Sequence, residues 1–353
     1  MRFALTRRGI YQVVQKTVAI LTLIYAVCFL IYLAAYSLIG DRFWPLALLN
    51  TFAYAIFIPL VVLLPLTFLA RSRIGLIALL PIIVVLIIWA FPYFKTRSAV
   101  PAKNAIRIVT SNTLWDNAKR DDMLRWLRDT DADIIFLQEI SYDSAAQLET
   151  LKDSYPYHPV SIESDEWGGN FILSRIPILS FDYIDLGVPK SMQPQRITAQ
   201  VNGLTFAAYN IHLEWPMNSE RPLKAKISRF SPSLGFAAGY DDSIRNLQIE
   251  RLATHLQSEP YPYFMAGDFN TSDQSPSYNR LAAVGIDSFR EGGIGFGATW
   301  PVAAVQHLPS FVPPLIRIDY VFHSDRFRAL SAEPGKPMGS DHLPLFVTLE
   351  MVG

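Results

Sequence analysis

Three long uncharged apolar runs open the chain, and short apolar runs that end in polar residues fill the rest. Val18 to Ile39 reads VAILTLIYAVCFLIYLAAYSLI, and two similar runs follow at Leu46 to Leu69 and Ile74 to Phe94. Each exceeds the roughly 20 residues an α-helix needs to cross the hydrocarbon of a bilayer. Three such runs in close succession, the first without a small-residue cleavage site, argue against a signal peptide. The expectation is three transmembrane helices at about 18–39, 46–69 and 74–94, with Pro59, Pro65 and Pro81 as kink positions. None of the runs contains Asp, Glu, Lys, Arg or His, whereas a transport path usually needs one. The segment 1–94 therefore reads as a plain anchor.

Beyond a linker at 95–104 the period changes. Short runs at 105–110, 134–137, 171–173, 197–201, 205–210, 263–266, 320–322 and 345–349 predict strands, and 121–129 and 244–257 predict helices. Many short strands with few helices suggest two packed sheets in a domain over 105–353.

Charge divides the chain at the same place. Residues 1–103 carry ten Lys or Arg and one acid, Asp41, while the remainder carries 21 Lys or Arg against 30 Asp or Glu. A domain at about −9 is a poor fit to avid binding of long nucleic acid, whose affinity comes largely from neutralising phosphates. Arg2, Arg7, Arg8 and Lys16 precede the first run, only Arg42 lies between the first and second, and Arg71 and Arg73 precede the third. The positive-inside rule then places the N-terminus in the cytoplasm and the C-terminal domain outside, although Lys95 and Arg97 pull the other way. The lone Cys28 excludes an intrachain disulfide and a cysteine metal site.

The chemistry sits where strands end. Asn112 follows the first strand, Gln138 and Glu139 the second. Asn210 and His212 close TFAAYNIHL, and Asp268 and Asn270 lie in GDFN. Asp319 opens IDYVF, while Asp341 and His342 lie in GSDHLPLF. Taken singly, each is as well explained as a cap or a turn. As an ordered set, with GNFILSR at 169–175 and ATW at 298–300, they resemble the endonuclease/exonuclease/phosphatase superfamily along the whole of 105–350.

That resemblance implies a four-layer α/β sandwich, two mixed sheets flanked by helices, and a metal-dependent phosphoesterase. It implies Glu139, Asn112 and Asp341 as metal ligands, with Mg²⁺ as the cation and Mn²⁺ as a substitute, since hard cations take oxygen donors. Asp268 would orient or deprotonate the attacking water, with Asn270 beside it. His342, steadied by Asp319, would contact the phosphate, and His212 would donate to a non-bridging oxygen. Asn170 and Trp300 are candidate substrate contacts. His158, His255, His307 and His323 match no motif and read as surface or core residues.

Two loops are candidate walls of the cleft: the stretch 214–242, with its basic and aromatic residues, and the apolar stretch 308–315. The expected partners are the bilayer and a small or lipid-borne phosphoester. A membrane-tethered nuclease is the alternative, and a catalytically silent scaffold is a third reading.

Overall fold

The computed structural model describes residues 7–94, 105–158, 169–187, 193–218, 231–306 and 308–352, with 224, 227 and 229. The linker at 95–104, part of the stretch 214–242 and His307 lie outside the described residues. The chain divides into two compact units, Met1–Lys95 and Thr96–Gly353.

The first unit contains α1 (Arg7–Leu38), α2 (Trp44–Thr51), α3 (Ile58–Leu69) and α4 (Arg73–Ala90). Arg8–Leu38 and Arg73–Phe94 are each long and apolar enough to cross a membrane. The second expected span is not a single helix: α2 and the stretch Ala53–Leu69 meet at a bend of 79°. Phe52 leaves helical backbone there, residues 53–57 wind more tightly as a 3-10 helix, and Pro59 offers no N–H in the first turn of α3. A buried polar knot holds the end of α2, where Asn50 Nδ2 donates to Asp41 Oδ1 at 2.9 Å and Tyr32 Oη donates to Asn50 Oδ1 at 3.1 Å. The unit thus has two candidate spans, or three if the bent pair crosses as one. At Gly75 an added Cβ would lie 2.7 Å from Thr67 and 2.9 Å from Thr22, so small residues let α1, α3 and α4 approach closely.

The second unit is a four-layer α/β sandwich. One sheet has the order β10-β11-β1-β2-β3 and the other β4-β5-β6-β7-β9-β8. Their strands are β1 (Ala105–Asn112), β2 (Ile134–Ile140), β3 (Gly169–Ser174), β4 (Ile178–Tyr183), β5 (Gln195–Val201), β6 (Leu204–His212), β7 (Tyr263–Asp268), β8 (Ile286–Asp287), β9 (Asp319–His323), β10 (Phe327–Pro334) and β11 (Leu345–Met351). Each sheet is antiparallel except for one parallel pair, β1 with β2 and β6 with β7.

Period-2 alternation builds the layers. Ile106, Ile108, Ile134, Phe136, Phe206, Ala208, Phe264 and Ala266 face between the sheets, and Phe136 meets Phe264 edge to face. Odd partners such as Val109, Ile135 and Leu137 pack outward under α5 (Arg120–Asp129) and α6 (Tyr142–Leu148). Tyr209, Ile211 and Met265 pack under α8 (Ser243–Leu256) on the other side. The intersheet register, followed to the strand ends, reaches Asn112 on β1, Asn210 and His212 on β6, Asp268 on β7 and Asp319 on β9. The carboxyl ends of the two parallel pairs therefore face one another.

Candidate active site

Below the site a buried amide network ties the sheets together. Gln138 Nε2 donates to Asn210 Oδ1 at 2.7 Å. Asn210 Nδ2 donates to Leu137 O, Phe171 O and Gln195 Oε1, and Gln195 Nε2 donates to Asn170 O. Burial makes each of these bonds costly to lose.

Glu139 breaks the alternation. The β2–β3 register shifts between Leu137 and Ile140, and Glu139 has φ +54°, a left-handed conformation that is uncommon outside glycine. The irregularity lets consecutive residues both serve the intersheet side, Gln138 in the network and Glu139 in the site. Asn112 Nδ2 donates to Glu139 Oε1 at 2.8 Å and to Asp268 Oδ2 at 3.1 Å, bridging the two sheets. The Asn112 side-chain Oδ1 accepts the Leu114 N–H, so the amide turns its nitrogen, not its oxygen, to the acids. His212 Nε2 lies 3.7 Å from Glu139 Oε1 and 4.0 Å from Asp268 Oδ2.

Asp268 ends β7 directly opposite Asp319 on β9. His342 answers this like-charge pair: Nδ1 lies 2.9 Å from Asp319 Oδ2, and Nε2 lies 3.7 Å from Asp268 Oδ2. Burial pushes the imidazole pKa down, but the carboxylates of Asp319 and Asp268 outweigh it and hold it well above the ordinary value. Burial raises Asp268 against the opposing pull of His342, and burial raises Glu139 against the bond from Asn112. Asn270, at φ +49°, donates its backbone N–H to Asp268 Oδ1 at 2.8 Å and its side-chain Nδ2 to Leu213 O.

The remaining expected residues form a second group. Asp341 Oδ2 accepts from Trp300 Nε1 at 3.1 Å and from Gln306 Nε2 at 2.7 Å, so Trp300 braces the expected ligand. Asn170 is buried at the start of β3, and its Oδ1 accepts no hydrogen bond. His323 is fully buried against Glu291, and His255 meets Tyr209, in keeping with core roles.

Three supporting residues escape the strand-end pattern. Arg245 is fully buried on α8 and donates to the Asn270 carbonyl and to Asp242. Its place on the stripe of Ile249, Leu252 and Leu256, at i, i+4, i+7 and i+11, is the one signal that could have exposed it. Arg317 is buried between Asp273 (2.9 Å) and Asp287 (2.6 Å) and fixes the chain just before Asp319. Gln306 has no signal, because its partner lies 35 residues away.

The donor set fits a divalent cation. Carboxyl oxygens of Glu139 and Asp268 converge without a Lys or Arg partner among the described contacts, and burial disfavours their charged forms. Asp319 Oδ1 is buried without a hydrogen bond. Oxygen donors of this kind suit a hard cation.

The sequence model of the endonuclease/exonuclease/phosphatase family matches residues 109–342. No curated protein matches the chain. Among solved structures, an endonuclease/exonuclease/phosphatase from Bacteroides vulgatus superposes with a TM-score of 0.55 at 18% identity, covering 70% of this chain and 100% of that one. A family protein from Leptotrichia buccalis gives 0.53 at 18%, with the same coverage of both chains. D. rerio TDP2, solved with a single-strand DNA product, gives 0.53 at 17%, again over 70% and 100%. At these identities the likeness is one of fold.

Proposed function

The chain belongs to the endonuclease/exonuclease/phosphatase family, and from that premise we propose a membrane-anchored, cation-dependent hydrolase acting on a small or lipid-borne phosphoester. The observation that carries the reading is the meeting of both sheets at one acidic centre, where Asn112 joins Glu139 to Asp268 and His342 is set between Asp268 and Asp319. Glu139 would hold the cation, Mg²⁺ with Mn²⁺ as substitute, with Asp341 as a second carboxylate beside it, while the amide oxygen of Asn112 is turned away from that role. Bound there, the cation neutralises phosphate charge and acts as a Lewis acid.

The chain's own groups supply position and proton transfer, the main needs of phosphoryl transfer. The Asn270 N–H holds Asp268 Oδ1 and Asn112 Nδ2 steadies Oδ2, which fixes the carboxylate to orient a water and take its proton. His342, kept protonated by Asp319, presents Nε2–H to a phosphoryl oxygen. His212 Nε2 donates to a second oxygen as charge develops. Asn170 and Trp300 line the approach. The anchor has three spans in this reading, with a cytoplasmic N-terminus and the catalytic unit outside. A C-terminal reporter active in the cytoplasm would reverse that orientation.

A nucleic-acid phosphodiester is the second reading, favoured by the fold shared with D. rerio TDP2 and its DNA product. Against it stands the excess of 30 acids over 21 basic residues in 104–353. The test is the full chain in detergent with Mg²⁺, offered an aryl phosphodiester, phospholipids, nucleotides and plasmid DNA. Turnover of small or lipid esters, reduced about 10³-fold in His342→Ala, is expected. DNA as the best substrate would replace this reading with the nuclease, and no turnover of any phosphoester would leave the silent scaffold.

A further inference from the structure

Exposed apolar side chains lie on the chain segments that adjoin the site residues. Trp115 lies three residues beyond Asn112, and Trp215 three beyond His212. Leu315 lies four residues before Asp319, with Phe311 in the same loop. Leu234 lies on α7 (Pro232–Gly239), whose Phe236 packs on Trp215 with ring centroids 6.2 Å apart. Leu315 is tied to the site itself, because its N–H donates to the carbonyl of Trp300, whose indole bonds Asp341. Trp215 is 53% exposed, Leu234 62%, Phe311 83% and Leu315 50%. Scattered exposed apolar residues need no explanation, but several on the segments that adjoin one candidate site do.

We propose that these side chains form a rim that seats on the surface of the bilayer that holds the chain's own helices, so that the substrate is a phosphoester lipid taken in place. The proposal rests on the phosphoesterase reading and narrows its substrate. The occupant follows from the chain's connectivity. Ten residues, 95–104, join Phe94 to Ala105, a reach of at most about 36 Å. Strand β1 begins at Ala105 and carries Asn112 at its far end, and eight residues of strand span roughly 26 Å. The link is therefore long enough for the mouth to meet the same bilayer. A headgroup phosphate would enter the acidic centre while the acyl chains stay in the membrane beneath the rim. In the reaction the oxygen of water joins phosphorus, the ester P–O bond breaks, and the water's proton leaves with the departing alcohol.

The test uses the full chain in nanodiscs of phosphatidylcholine and phosphatidylglycerol, with Cys28→Ser as background. A polarity-sensitive fluorophore is placed at Phe311→Cys, Leu315→Cys or Leu179→Cys. Leu179 is exposed near the opposite end of its sheet, since Tyr183, not Ile178, pairs toward the site. Blue-shifted emission and quenching by spin-labelled lipids are expected at 311 and 315 and not at 179. Equal quenching at all three positions, or none at 311 and 315, overturns the proposal. A second arm compares wild type with Trp215→Ala/Phe311→Ala/Leu315→Ala. Turnover of a soluble aryl phosphodiester should hold within about twofold while turnover of bilayer lipid falls at least about tenfold. Equal loss on both substrates overturns the rim. If wild type turns over neither, the phosphoesterase reading fails and the quenching arm still decides the rim.

Discussion

Asp268 and Asp319 face each other across β7 and β9, an arrangement that like charges resist and that His342 relieves. Replacing Asp319 with Asn should therefore spare the fold and harm the chemistry. The expected result is an unfolding temperature within about 3 °C of wild type, with kcat lowered about 10²-fold as His342 loses its orienting charge. A parallel fall in stability would mark Asp319 as merely structural. Far from the site, Glu259 shows the opposite balance. Its carboxylate accepts Nε and Nη2 of Arg196 at 2.8 and 2.9 Å and the Tyr209 hydroxyl. Burial pushes its pKa up, but the bonds from Arg196 and Tyr209 prevail and hold it below the ordinary carboxylate value. A depressed folded pKa stabilises above the unfolded value, and the contribution is lost as pH falls through the folded one. Glu259→Gln should thus cost about 3 kcal/mol at pH 7 and progressively less on acidification below the carboxylate range, as melting curves across pH would reveal. The candidate site residues were legible in the sequence because each lies at or beside the end of an apolar strand. Arg245, Arg317 and Gln306 were not, because their meaning lies in partners that only the folded chain brings near.

Elements were legible where the alternation is clean. β1, β2, β6, β7, β9 and β11 lie where the pattern predicts strands, as do α5 and α8 for helices. β10 was hidden because its register shifts between Ala329 and Ser331, which disrupts the alternation, and β4 because it is a half-exposed edge with a shift near Ile178. The second apolar run reads as one helix but is two that meet at a bend of 79°, which hydropathy, a measure of length and composition, cannot see. Gly267 carries the heaviest demand on one position. It pairs with Ile211, has φ +150°, and an added Cβ would lie 1.8 Å from the Ile211 carbonyl oxygen. That oxygen belongs to the strand backbone and can move only if β6 and β7 separate next to Asp268 and His212. Gly267→Ala is expected to cost more than about 3 kcal/mol. The check is the yield of folded protein and its unfolding midpoint; a variant as stable as wild type would mean the strands yield more easily than the geometry allows.

At the scale of the molecule, the sequence divides itself twice at one place, by period and by charge, and the two compact units follow that division. What this division does for catalysis can be tested without altering either unit. A tether raises the local concentration of a membrane substrate and leaves the encounter with a dissolved one unchanged. A protease site inserted in 95–104 would release the catalytic unit on cutting, with every site residue intact. Turnover of a soluble aryl phosphodiester should then stay within about twofold of the uncut protein, because the contacts that hold Asn112, Glu139, Asp268 and His342 among the described residues lie within 105–352. Turnover of vesicle lipid at nanomolar enzyme should fall about 10²-fold, the low end of what tethering contributes. It should recover as released enzyme is raised toward the millimolar local concentration the tether supplied. Recovery with concentration separates a tether from a conformational partner: if cutting lowered kcat on the soluble ester too, the helices would be shaping the site and not merely delivering it to its substrate.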